Sequence, residues 1–370
     1  MKIAMLGTRG IPGGYSGFET AVEELSTRLV KRGHEIVVYC RPHMIKFNDS
    51  HYKGVKLVKL PTIANKHLDT IVHTGISSLH VLIKDRSDVV LYFIAGNSPF
   101  AVLPRLAGIP TAINVDGLDS QRAKWSPLAK MYLRFAERLA PIAANEIITD
   151  SKVVQRYYRD RFGADSTFIP YGAQMPSVPG TKWLDEFNLT PRHYILFVGR
   201  LVPENCPHVL IDAFRTLKTD MKLVIVGDAS YSNEYIRQLK DSADDNVIFT
   251  GYVFGEGYRQ LSQNAYVFVA PTIVGGTHPV IIEALAAGNC VVTSNHPPNL
   301  EAVGEAGMSF EADRGAQGLR GILQKLLDDG DLVASYREKA SRFASNNYDW
   351  EVVTDQYEAL CNKLVSQKNK

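Results

Sequence analysis

The feature that most constrains the fold of this chain is a repeated alternation of short apolar segments with amphipathic ones. At the start, residues 2–6 form an apolar segment and residues 7–17 a glycine-rich stretch. A helical spacing follows, which is carried by Phe18, Val22, Leu25 and Leu29. Gly33 ends the predicted helix, and residues 35–40 form the next apolar strand. A strand, a helix and a strand at this spacing predict a βαβ unit, and therefore a parallel sheet.

The alternation runs through the chain in two series. In the first series, further strands are predicted at residues 55–60, 89–95, 111–115 and 146–149. Residues 174–180 carry two prolines and a glycine, which is typical of a linker, and the pattern restarts after them. The second series has a helix at 207–216 and strands at residues 194–198, 222–226, 247–249, 265–270 and 289–293.

The two series predict an α/β protein built of two Rossmann-like, doubly wound domains. The first domain is predicted at residues 1–175 and the second at residues 190–349, with a cleft between them. A final helix at residues 350–366 is expected to pack back on the first domain. Because ligands bind beyond the carboxyl ends of parallel strands, we expect the chemistry in the loops that follow the strands.

The composition excludes several classes of protein. Of the 370 residues, 45% are hydrophobic and 22% charged, which is typical of a globular chain and of neither collagen nor a disordered protein. The four cysteines lie far apart with no C-x-x-C pair, which disfavours a disulfide scaffold and a zinc ribbon. No apolar run has the length of a spanning helix and no secretory leader opens the sequence. We therefore expect a cytoplasmic protein, with the inner face of the membrane as an additional location.

The near-zero net charge hides an asymmetry along the chain. Through Met175 there are 23 Lys and Arg against 15 Asp and Glu, whereas the remainder has 18 against 24. The first half could therefore face an anionic partner, such as a phospholipid surface or a pyrophosphate-bearing acceptor. Nucleic acid is disfavoured, because no compact basic run with interleaved aromatic residues is present.

The glycine-rich stretch is the first candidate site. Residues 7–17 carry five glycines between a strand and a helix. Glycines let backbone N–H groups approach a ligand closely, and the N-terminus of a helix favours an anion. The stretch is neither G-x-G-x-x-G nor a P-loop. We favour a ligand-binding loop over a long turn that only requires positive φ angles.

The second series offers two more candidates. Arg200 directly follows the strand at 194–198, where a guanidinium group could clamp a phosphate, although a surface salt bridge explains it equally well. Small residues at 271–278 precede a helix with Pro279 near its first position. Glu283 lies in that otherwise apolar helix and needs a partner, either ribose hydroxyls or a basic side chain.

Taken together, these residues resemble a known family. Gly199-Arg-Leu, Pro271-Thr, the Glu283 helix and Ile169-Pro-Tyr-Gly are similar to retaining glycosyltransferases of family 4, which have the two-Rossmann GT-B fold. A bacterial subgroup that contains rhamnosyltransferases of polysaccharide assembly is more similar still. That likeness rests on residues 1–41, 115–119, 122–125 and 275–277.

The resemblance implies a nucleoside-diphosphate sugar donor, no metal or other cofactor, and a front-face displacement with retention of configuration. Arg200 would stabilise the leaving pyrophosphate, and Asp116 would orient the acceptor hydroxyl. Glu283 would bind the ribose. The other donor-binding positions that it implies are Gly13, Gly14, Asn205, Tyr252, Val253, Gly276 and Thr277.

Two positions depart from the family pattern. The family has a Lys where this chain has Asn205, and the first Glu of a spaced pair where this chain has Gly275. Losing a cation beside the leaving group raises the barrier unless another group replaces it. By the resemblance, both departures are usual in the rhamnosyl subgroup, and a deoxy sugar lacks a hydroxyl that the absent Glu would bind.

A basic amphipathic helix is predicted from residue 127 onward. Basic residues line one side of it or precede it: Arg122, Lys124, Lys130, Arg134 and Arg138. Its apolar face is formed by Leu128, Met131, Tyr132, Phe135 and Leu139. This pattern fits contact with an anionic membrane that holds a lipid-linked acceptor. Because the apolar face is no wider than a core helix needs, a core-packed helix is the favoured interpretation.

We therefore expect a metal-independent, retaining glycosyltransferase that acts on a glycan or lipid-linked acceptor. An epimerase of nucleotide sugars on the same fold is one alternative, and it would turn over without acceptor. A catalytically inactive sugar-nucleotide-binding scaffold is another, which Asn205 and Gly275 suggest. An oxidoreductase is disfavoured, because neither half contains G-x-G-x-x-G.

Overall fold

The computed structural model describes residues 1–13, 17–65, 68–115, 117, 120, 125–229 and 232–368, which fall into two compact units. Unit 1 comprises Met1–Gly172, Gly275–Thr277 and Trp350–Lys370. Unit 2 comprises Ala173–Val274 and His278–Asp349.

Unit 1 contains an eight-stranded sheet with the order β3-β4-β2-β1-β5-β6-β7-β8. Its strands are β1 Lys2–Leu6, β2 Glu35–Cys40, β3 His51–Tyr52, β4 Val55–Lys59, β5 Val89–Phe93, β6 Thr111–Val115, β7 Glu146–Thr149 and β8 Thr167–Phe168. Every pairing is parallel except that between β3 and β4. Its helices are α1 Gly17–Lys31, α2 Asp69–His80, α3 Ser98–Leu106, α4 Pro127–Ala143, α5 Lys152–Phe162 and α14 Trp350–Lys368.

Unit 2 contains a six-stranded parallel sheet with the order β11-β10-β9-β12-β13-β14. Its strands are β9 Tyr194–Val198, β10 Lys222–Val226, β11 Val247–Gly251, β12 Val267–Ala270, β13 Cys290–Ser294 and β14 Gly307–Phe310. Its helices are α6 Lys182–Glu186, α7 Pro207–Phe214, α8 Asn233–Ser242, α9 Gly255–Asn264, α10 Pro279–Ala286, α11 Pro297–Val303, α12 Gly315–Asp328 and α13 Gly330–Asn347.

The predicted α/β fold with parallel sheets is confirmed. The central strands are apolar on both faces, and every residue of β5, β6 and β12 is buried, as in sheets covered by helices on both sides. The predicted strands agree with the observed ones to within two residues at either end. Strands β3, β8 and β14 were not predicted. Strands β3 and β8 have only two residues each, and β14 is a short strand of four residues.

Unit 2 begins earlier than the domain predicted from residue 190. The reason is α6, which lies between the proline-rich segment and β9 and packs on α9. The backbone N–H of Trp183 donates to the side chain of Gln260 at 3.0 Å. A Cβ on Gly257 would come within 2.7 Å of the Trp183 ring, so glycine is needed for this close packing.

Helix α14 returns to unit 1 and is held there by charge. Arg32, in the turn directly after α1, contacts three carboxylates of α14, those of Glu351, Asp355 and Glu358, at 2.6–2.9 Å. His34 also reaches Glu358 at 2.7 Å. At the start of α14, a Cβ on Gly172 would lie 2.2 Å from the Trp350 ring. Electrostatic pairs and tight packing at one glycine therefore dock this helix.

Candidate active site

In each unit the strand order reverses at one place, and the loops that follow the two flanking strands meet there. In unit 2 the reversal lies between β9 and β12, and in unit 1 it lies between β1 and β5. Open parallel sheets bind ligands beyond the carboxyl ends of the strands at such points. The two loop pairs, one in each unit, are therefore candidate sites.

Three glycines shape the carboxyl edge of the unit 2 sheet. The N–H of Gly199 donates to Val226 at 3.0 Å, and the N–H of Gly227 donates to Gly251 at 2.8 Å. Gly227 has a φ of +135°, and a Cβ there would lie 1.9 Å from the carbonyl oxygen of Gly199. Only glycine fits this close approach, which brings the ends of β9, β10 and β11 together without side chains.

Arg200 lies directly after this edge, where the sequence predicts it. Its backbone carbonyl accepts a hydrogen bond from the side-chain amide of Asn205 at 2.9 Å. The Asn205 carbonyl oxygen in turn accepts from the hydroxyl of Thr272 at 3.5 Å. Asn205 therefore connects the loop after β9 to the loop after β12, the two loops that flank the switch point of unit 2.

Thr272 is the centre of a buried polar network. Its carbonyl accepts hydrogen bonds from Ser294 and, at 2.9 Å, from Asn299, and both of these side chains are fully buried. Its hydroxyl also reaches the carbonyl of Glu204 at 3.3 Å and the Nε2 of His278 at 3.4 Å. His278 precedes α10 and contributes to this network as a structural partner. The loop after β12 is thereby fixed on several sides.

Glu283 is half-buried on α10, and its carboxylate accepts a hydrogen bond from a tyrosine. The hydroxyl of Tyr258, on α9, donates to Oε2 of Glu283 at 2.6 Å. Burial and the neighbouring carboxylate raise the pKa of Tyr258 well above its usual value, so the phenol stays protonated and remains a donor. The sequence offers no signal for this pair, because the two residues lie 25 positions apart on different helices.

The stretch after β11 divides into an exposed and a buried residue. Tyr252 is exposed, and its ring stacks on Phe254 with centroids 5.7 Å apart and an interplanar angle of 15°. Val253 is buried, and its side chain packs beside Gly257 and Trp183. The side chain of Val253 therefore belongs to the core of unit 2, and the donor-binding roles that the resemblance implies for both residues stay predictions.

In unit 1 the glycine-rich loop follows β1 at the switch point. Gly7 has a φ of +102°, and a Cβ there would lie 2.4 Å from the carbonyl oxygen of Phe93. The Gly7 carbonyl accepts from the buried side chains of Arg41 at 3.3 Å and Asn97 at 3.5 Å. The start of this loop is thus held rigidly against the segment that follows β5.

Two glutamate side chains of α1 accept hydrogen bonds from backbone N–H groups of the same loop. The N–H of Arg9 donates to Glu19 at 3.0 Å, and the N–H of Gly13 donates to Glu23 at 2.9 Å. A Cβ on Gly13 would lie 2.5 Å from the Cβ of Glu19, so glycine is required by helix packing. The N–H of Gly13 is thus engaged by a carboxylate of unit 1, and the donor-binding role that the resemblance implies for Gly13 stays a prediction.

The segment Gly275–Thr277 groups with unit 1. The hydroxyl of Thr277 donates to the backbone carbonyl of Asp150 at 3.3 Å, and a Cβ on Gly117 would lie 2.8 Å from the nitrogen of Gly276. Gly275 has a φ of +119°, which a glutamate at this position would adopt only with strain. The departure from the family pattern at Gly275 therefore has a conformational reason.

Four residues with predicted roles lie outside the described part of the chain, namely Gly14, Asp116, Arg122 and Lys124. Their predicted roles stay predictions. Within the described ranges, no group of three or more His, Cys, Asp or Glu side chains is arranged to hold a metal ion. No helix within the same ranges has the length and apolar character needed to cross a bilayer.

Helix α4 differs most from its predicted environment. The favoured interpretation buries its large apolar residues, yet Leu128 is 72% exposed, Met131 62%, Phe135 56% and Ile142 68%. Instead, the helix packs through its small residues on the opposite side, together with Leu133. The buried alanines of α4 are Ala136, Ala140 and Ala143. The core-packed interpretation is therefore wrong for Leu128, Met131 and Phe135. Tyr132 and Leu139 of the predicted apolar face are partly buried, as that interpretation expects.

Comparison with known proteins identifies the class. Residues 192–329 match the family described as "Glycosyl transferases group 1", and residues 1–174 match a "Domain of unknown function (DUF1972)". A Campylobacter jejuni protein is 25% identical over 313 residues, 81% of each chain. It is named N-acetylgalactosamine-N,N'-diacetylbacillosaminyl-diphospho-undecaprenol 4-alpha-N-acetylgalactosaminyltransferase.

Solved structures show the same fold over nearly the whole chain. Sucrose-phosphate synthase from Thermosynechococcus elongatus superposes with a TM-score of 0.83 at 19% identity, covering 99% of both chains. HepE from Anabaena, in complex with UDP and glucose, gives 0.80 at 18% identity, covering 98% of this chain and 100% of HepE. The chain thus has the GT-B fold. Its residues 192–329 are similar to the group 1 glycosyl transferases, and the chain is a nucleotide-sugar glycosyltransferase.

Proposed function

We propose that the protein transfers a sugar, with retention of configuration, from a nucleoside-diphosphate donor to a hydroxyl of a lipid-linked glycan at an anionic membrane. The observation that carries the acceptor side of this proposal is the outward-facing apolar stripe of α4. Rhamnose is the donor sugar that the sequence resemblance favours. The Campylobacter relative, whose name specifies a diphospho-undecaprenol acceptor, supports a lipid-linked acceptor. The reaction belongs to polysaccharide assembly and needs no metal.

The donor is assigned to the switch point of unit 2. Arg200 follows β9, and its peptide is held by Asn205. A guanidinium group at that edge meets a diphosphate in bidentate fashion and stabilises the charge that develops as the sugar leaves. In a front-face displacement, an oxygen of the leaving diphosphate takes the proton of the acceptor hydroxyl, so no protein nucleophile is required.

Glu283 and Tyr252 are assigned to the nucleoside. A carboxylate accepts hydrogen bonds from the two ribose hydroxyls, and Tyr258 orients it from the other side. The exposed ring of Tyr252 offers a face on which a nucleobase can stack. Of the other positions that the resemblance implies, Gly276 and Thr277 stay predictions.

Three neighbouring helices of unit 1 carry the membrane face. Helix α3 packs between α2 and α4, and Arg105 of α3 donates to the carbonyl of Ile142. Besides the stripe of α4, Leu79, Ile83 and Leu106 are exposed on the α2 and α3 side. Lys130, Arg134 and Arg138 follow one another along α4 beside the stripe. Apolar side chains flanked by cations favour the surface of an anionic bilayer.

Donor binding is tested by thermal shift with a panel of nucleoside diphosphates and their sugars, with and without magnesium and a chelator. A ligand at about a hundred times its dissociation constant adds about 2.7 kcal/mol to stability. We expect one base to shift the melting temperature and the shift to be independent of magnesium. No shift with any nucleotide would contradict the donor assignments to Arg200 and Glu283.

Transfer is tested with the donor that binds, a lipid-linked glycan in detergent and NMR of the anomeric proton of the product. Retention of the donor's anomeric configuration supports the proposal, whereas inversion contradicts the mechanism. Turnover without acceptor would indicate the epimerase, and binding without turnover would indicate the inactive scaffold. Activity that disappears with a chelator and returns with magnesium would contradict metal independence.

Membrane contact is tested by flotation with vesicles of phosphatidylcholine alone or mixed with phosphatidylglycerol. The double variant Leu128→Ser, Phe135→Ser should lose binding to the anionic vesicles. Val352→Ser is the control, because Val352 is similarly exposed but lies on α14. Equal binding by the double variant and the control would contradict the membrane role of α4.

A further inference from the structure

A polar cluster in unit 1 has no role in the function described so far. It consists of Arg41, which directly follows β2, His43 two residues later, and Asp69, the first residue of α2. Nη1 of Arg41 lies 2.9 Å from Oδ2 of Asp69, and Nε2 of His43 lies 3.4 Å from the same oxygen. This Arg41 cluster thus stands at the carboxyl edge of the parallel strands, where sheets of this kind bind ligands.

Two buried atoms of the Arg41 cluster have unused hydrogen-bonding capacity. In the part of the chain that the structure describes, Nε of Arg41 and Oδ1 of Asp69 are buried without a hydrogen-bond partner. Arg41 as a whole is only 4% exposed. Buried polar groups of folded proteins are nearly always paired with protein, with water or with a ligand. One unused donor and one unused acceptor, in side chains that contact each other, therefore require a partner that can both accept and donate.

The charges and the depth of these two atoms restrict the partner. A phosphate would meet the negative charge of Asp69, and a metal ion would meet the positive charge of Arg41. A hydroxyl group is neutral, and it can accept from the guanidinium group and donate to the carboxylate at the same time. It is also small enough to reach atoms that lie below the surface. The pair of Arg41 and Asp69 therefore fits a hydroxyl group better than an ion.

The backbone around the Arg41 cluster fixes its shape before any ligand binds. The N–H of Met44 donates to the carbonyl of Arg41 at 3.0 Å, which closes a turn that includes His43. Nη2 of Arg41 donates to the carbonyl of Gly7 at 3.3 Å, so the guanidinium group is also tied to the loop after β1. A ligand therefore meets side chains that are already oriented, which lowers the entropy cost of binding.

Exposed apolar side chains adjoin the cluster along the chain. Met44 follows His43, Leu68 precedes Asp69, and both apolar side chains are exposed. Small-molecule sites commonly combine apolar surface with a few precisely placed polar groups. A sugar ring has hydroxyl groups at its edge and C–H groups on its faces, so it can use both kinds of contact side by side. The combination therefore favours a sugar over a water molecule alone.

We propose that the Arg41 cluster binds two neighbouring hydroxyl groups of one sugar unit of the acceptor glycan and thereby selects acceptors by their sugar. One hydroxyl lies between Nε of Arg41 and Oδ1 of Asp69. The next one contacts the partly exposed imidazole of His43, which can donate or accept. The inference rests on the proposed function, since it names the sugar part of the acceptor as the group that unit 1 recognises. It is independent of membrane contact, because the cluster binds the same sugar without its lipid.

The test is saturation-transfer NMR of the full-length protein with soluble methyl glycosides of mannose, rhamnose, galactose and N-acetylglucosamine. We expect at least one glycoside to bind, its analogue without one of two neighbouring hydroxyls to bind more weakly, and excess inorganic phosphate not to displace it. His43→Ala should weaken the binding about three- to tenfold, which corresponds to the loss of one hydrogen bond. His43 is partly exposed, so its removal should not prevent folding. His51→Ala is the control, because His51 is an exposed histidine of the same unit outside the cluster.

The outcomes separate this site from the proposed function. Binding of no glycoside by wild type, displacement by phosphate, or equal effects of His43→Ala and His51→Ala overturns the site. In the transfer assay with a lipid-linked glycan, His43→Ala should raise the KM for the acceptor and leave the KM for the donor unchanged. Transfer that is insensitive to His43→Ala, or an equal rise in both KM values, overturns the site and leaves the proposed function in place. Binding of a glycoside at the cluster without transfer to any acceptor overturns the proposed function and leaves the site in place.

Discussion

The side-chain nitrogen of Asn205 lies 2.9 Å from the backbone carbonyl oxygen of Arg200 and donates a hydrogen bond to it. The other end of the same amide accepts from the Thr272 hydroxyl, which belongs to the loop after β12. Asn205 is thus a positioning residue that fixes the peptide of Arg200. The family to which the chain is similar has a lysine here, which supplies charge but cannot bridge the two loops with a single planar amide.

This geometry predicts the behaviour of two variants of Asn205. Asn205→Asp keeps the shape and the acceptor but removes the donor, so we expect kcat/KM to fall roughly tenfold, the order expected from one lost hydrogen bond with an added unfavourable charge. Asn205→Lys should also lose activity, because the added charge does not restore the bridge. Steady-state kinetics with donor and acceptor varied in turn measure both, and Asn246→Asp on the exposed end of unit 2 is the control. A lysine variant as active as wild type would contradict the positioning role.

Arg200 itself should contribute to the rate more than to binding. If its guanidinium group stabilises the charge that develops on the leaving diphosphate, Arg200→Ala lowers kcat by about a hundredfold or more. Arg200→Lys should recover part of the loss, since it restores the charge without the bidentate geometry. Arg215→Ala, which removes an exposed arginine of the same unit, should be close to wild type. Near-normal turnover by Arg200→Ala would remove its role in the reaction.

Tyr258→Phe tests the orientation of Glu283. The variant deletes only the hydroxyl that donates to Oε2 of Glu283, and a free carboxylate can then turn away from the ribose. A hydrogen bond to a charged group contributes ~1.5–3 kcal/mol, part of which water replaces, so we expect the donor KM to rise about three- to tenfold with a smaller change in kcat. Tyr266→Phe is the matched control, because its hydroxyl donates to the carbonyl of Leu326 instead. An unchanged KM in Tyr258→Phe would show that Glu283 does not depend on this partner.

Strands and helices that follow a simple hydrophobic pattern could be predicted from the sequence. Contacts that depend on how distant elements pack together could not. The strands are continuous apolar runs, so their positions and the parallel arrangement could be predicted. Arg200 and Glu283 could be singled out because each stands at the end of such a run or inside an apolar helix. Tyr258 could not, because the fold alone brings α9 to α10.

Helix α4 shows that the largest apolar residues of an amphipathic helix need not form its buried side. Its sequence has one stripe of large apolar residues and one of alanines, and the large stripe was taken for the buried side. In the structure Ala136 and Ala140 are buried, since α3 approaches closely and small side chains permit that approach. Gly13 illustrates the same limit, because a glycine is needed there for close contact with Glu19, which the sequence pattern does not reveal.

His73 gives the stability of the protein a dependence on pH. The side chain is fully buried on α2, and its Nε2 donates to the carbonyl of Cys40 at 3.1 Å. Burial and, next, the charge of Arg41 lower its pKa to about 4, with a smaller lowering effect from His43. The hydrogen bond to Cys40 and the charge of Asp69 oppose this shift of the pKa. The folded protein therefore holds His73 neutral at a pH where the unfolded chain already binds a proton.

Lowering the pH therefore lowers the stability of the folded protein through His73. The contribution of His73 is fully present above pH ~6.5, where neither state binds the proton, and it is lost as the pH falls toward 4. Between pH 7 and pH 5 the loss amounts to about 2 kcal/mol. We expect the urea midpoint of wild type to fall over this interval and that of His73→Gln to fall less, because glutamine can donate to the same carbonyl but does not titrate. Parallel declines in the two proteins would show that other groups, and not His73, govern stability in this range.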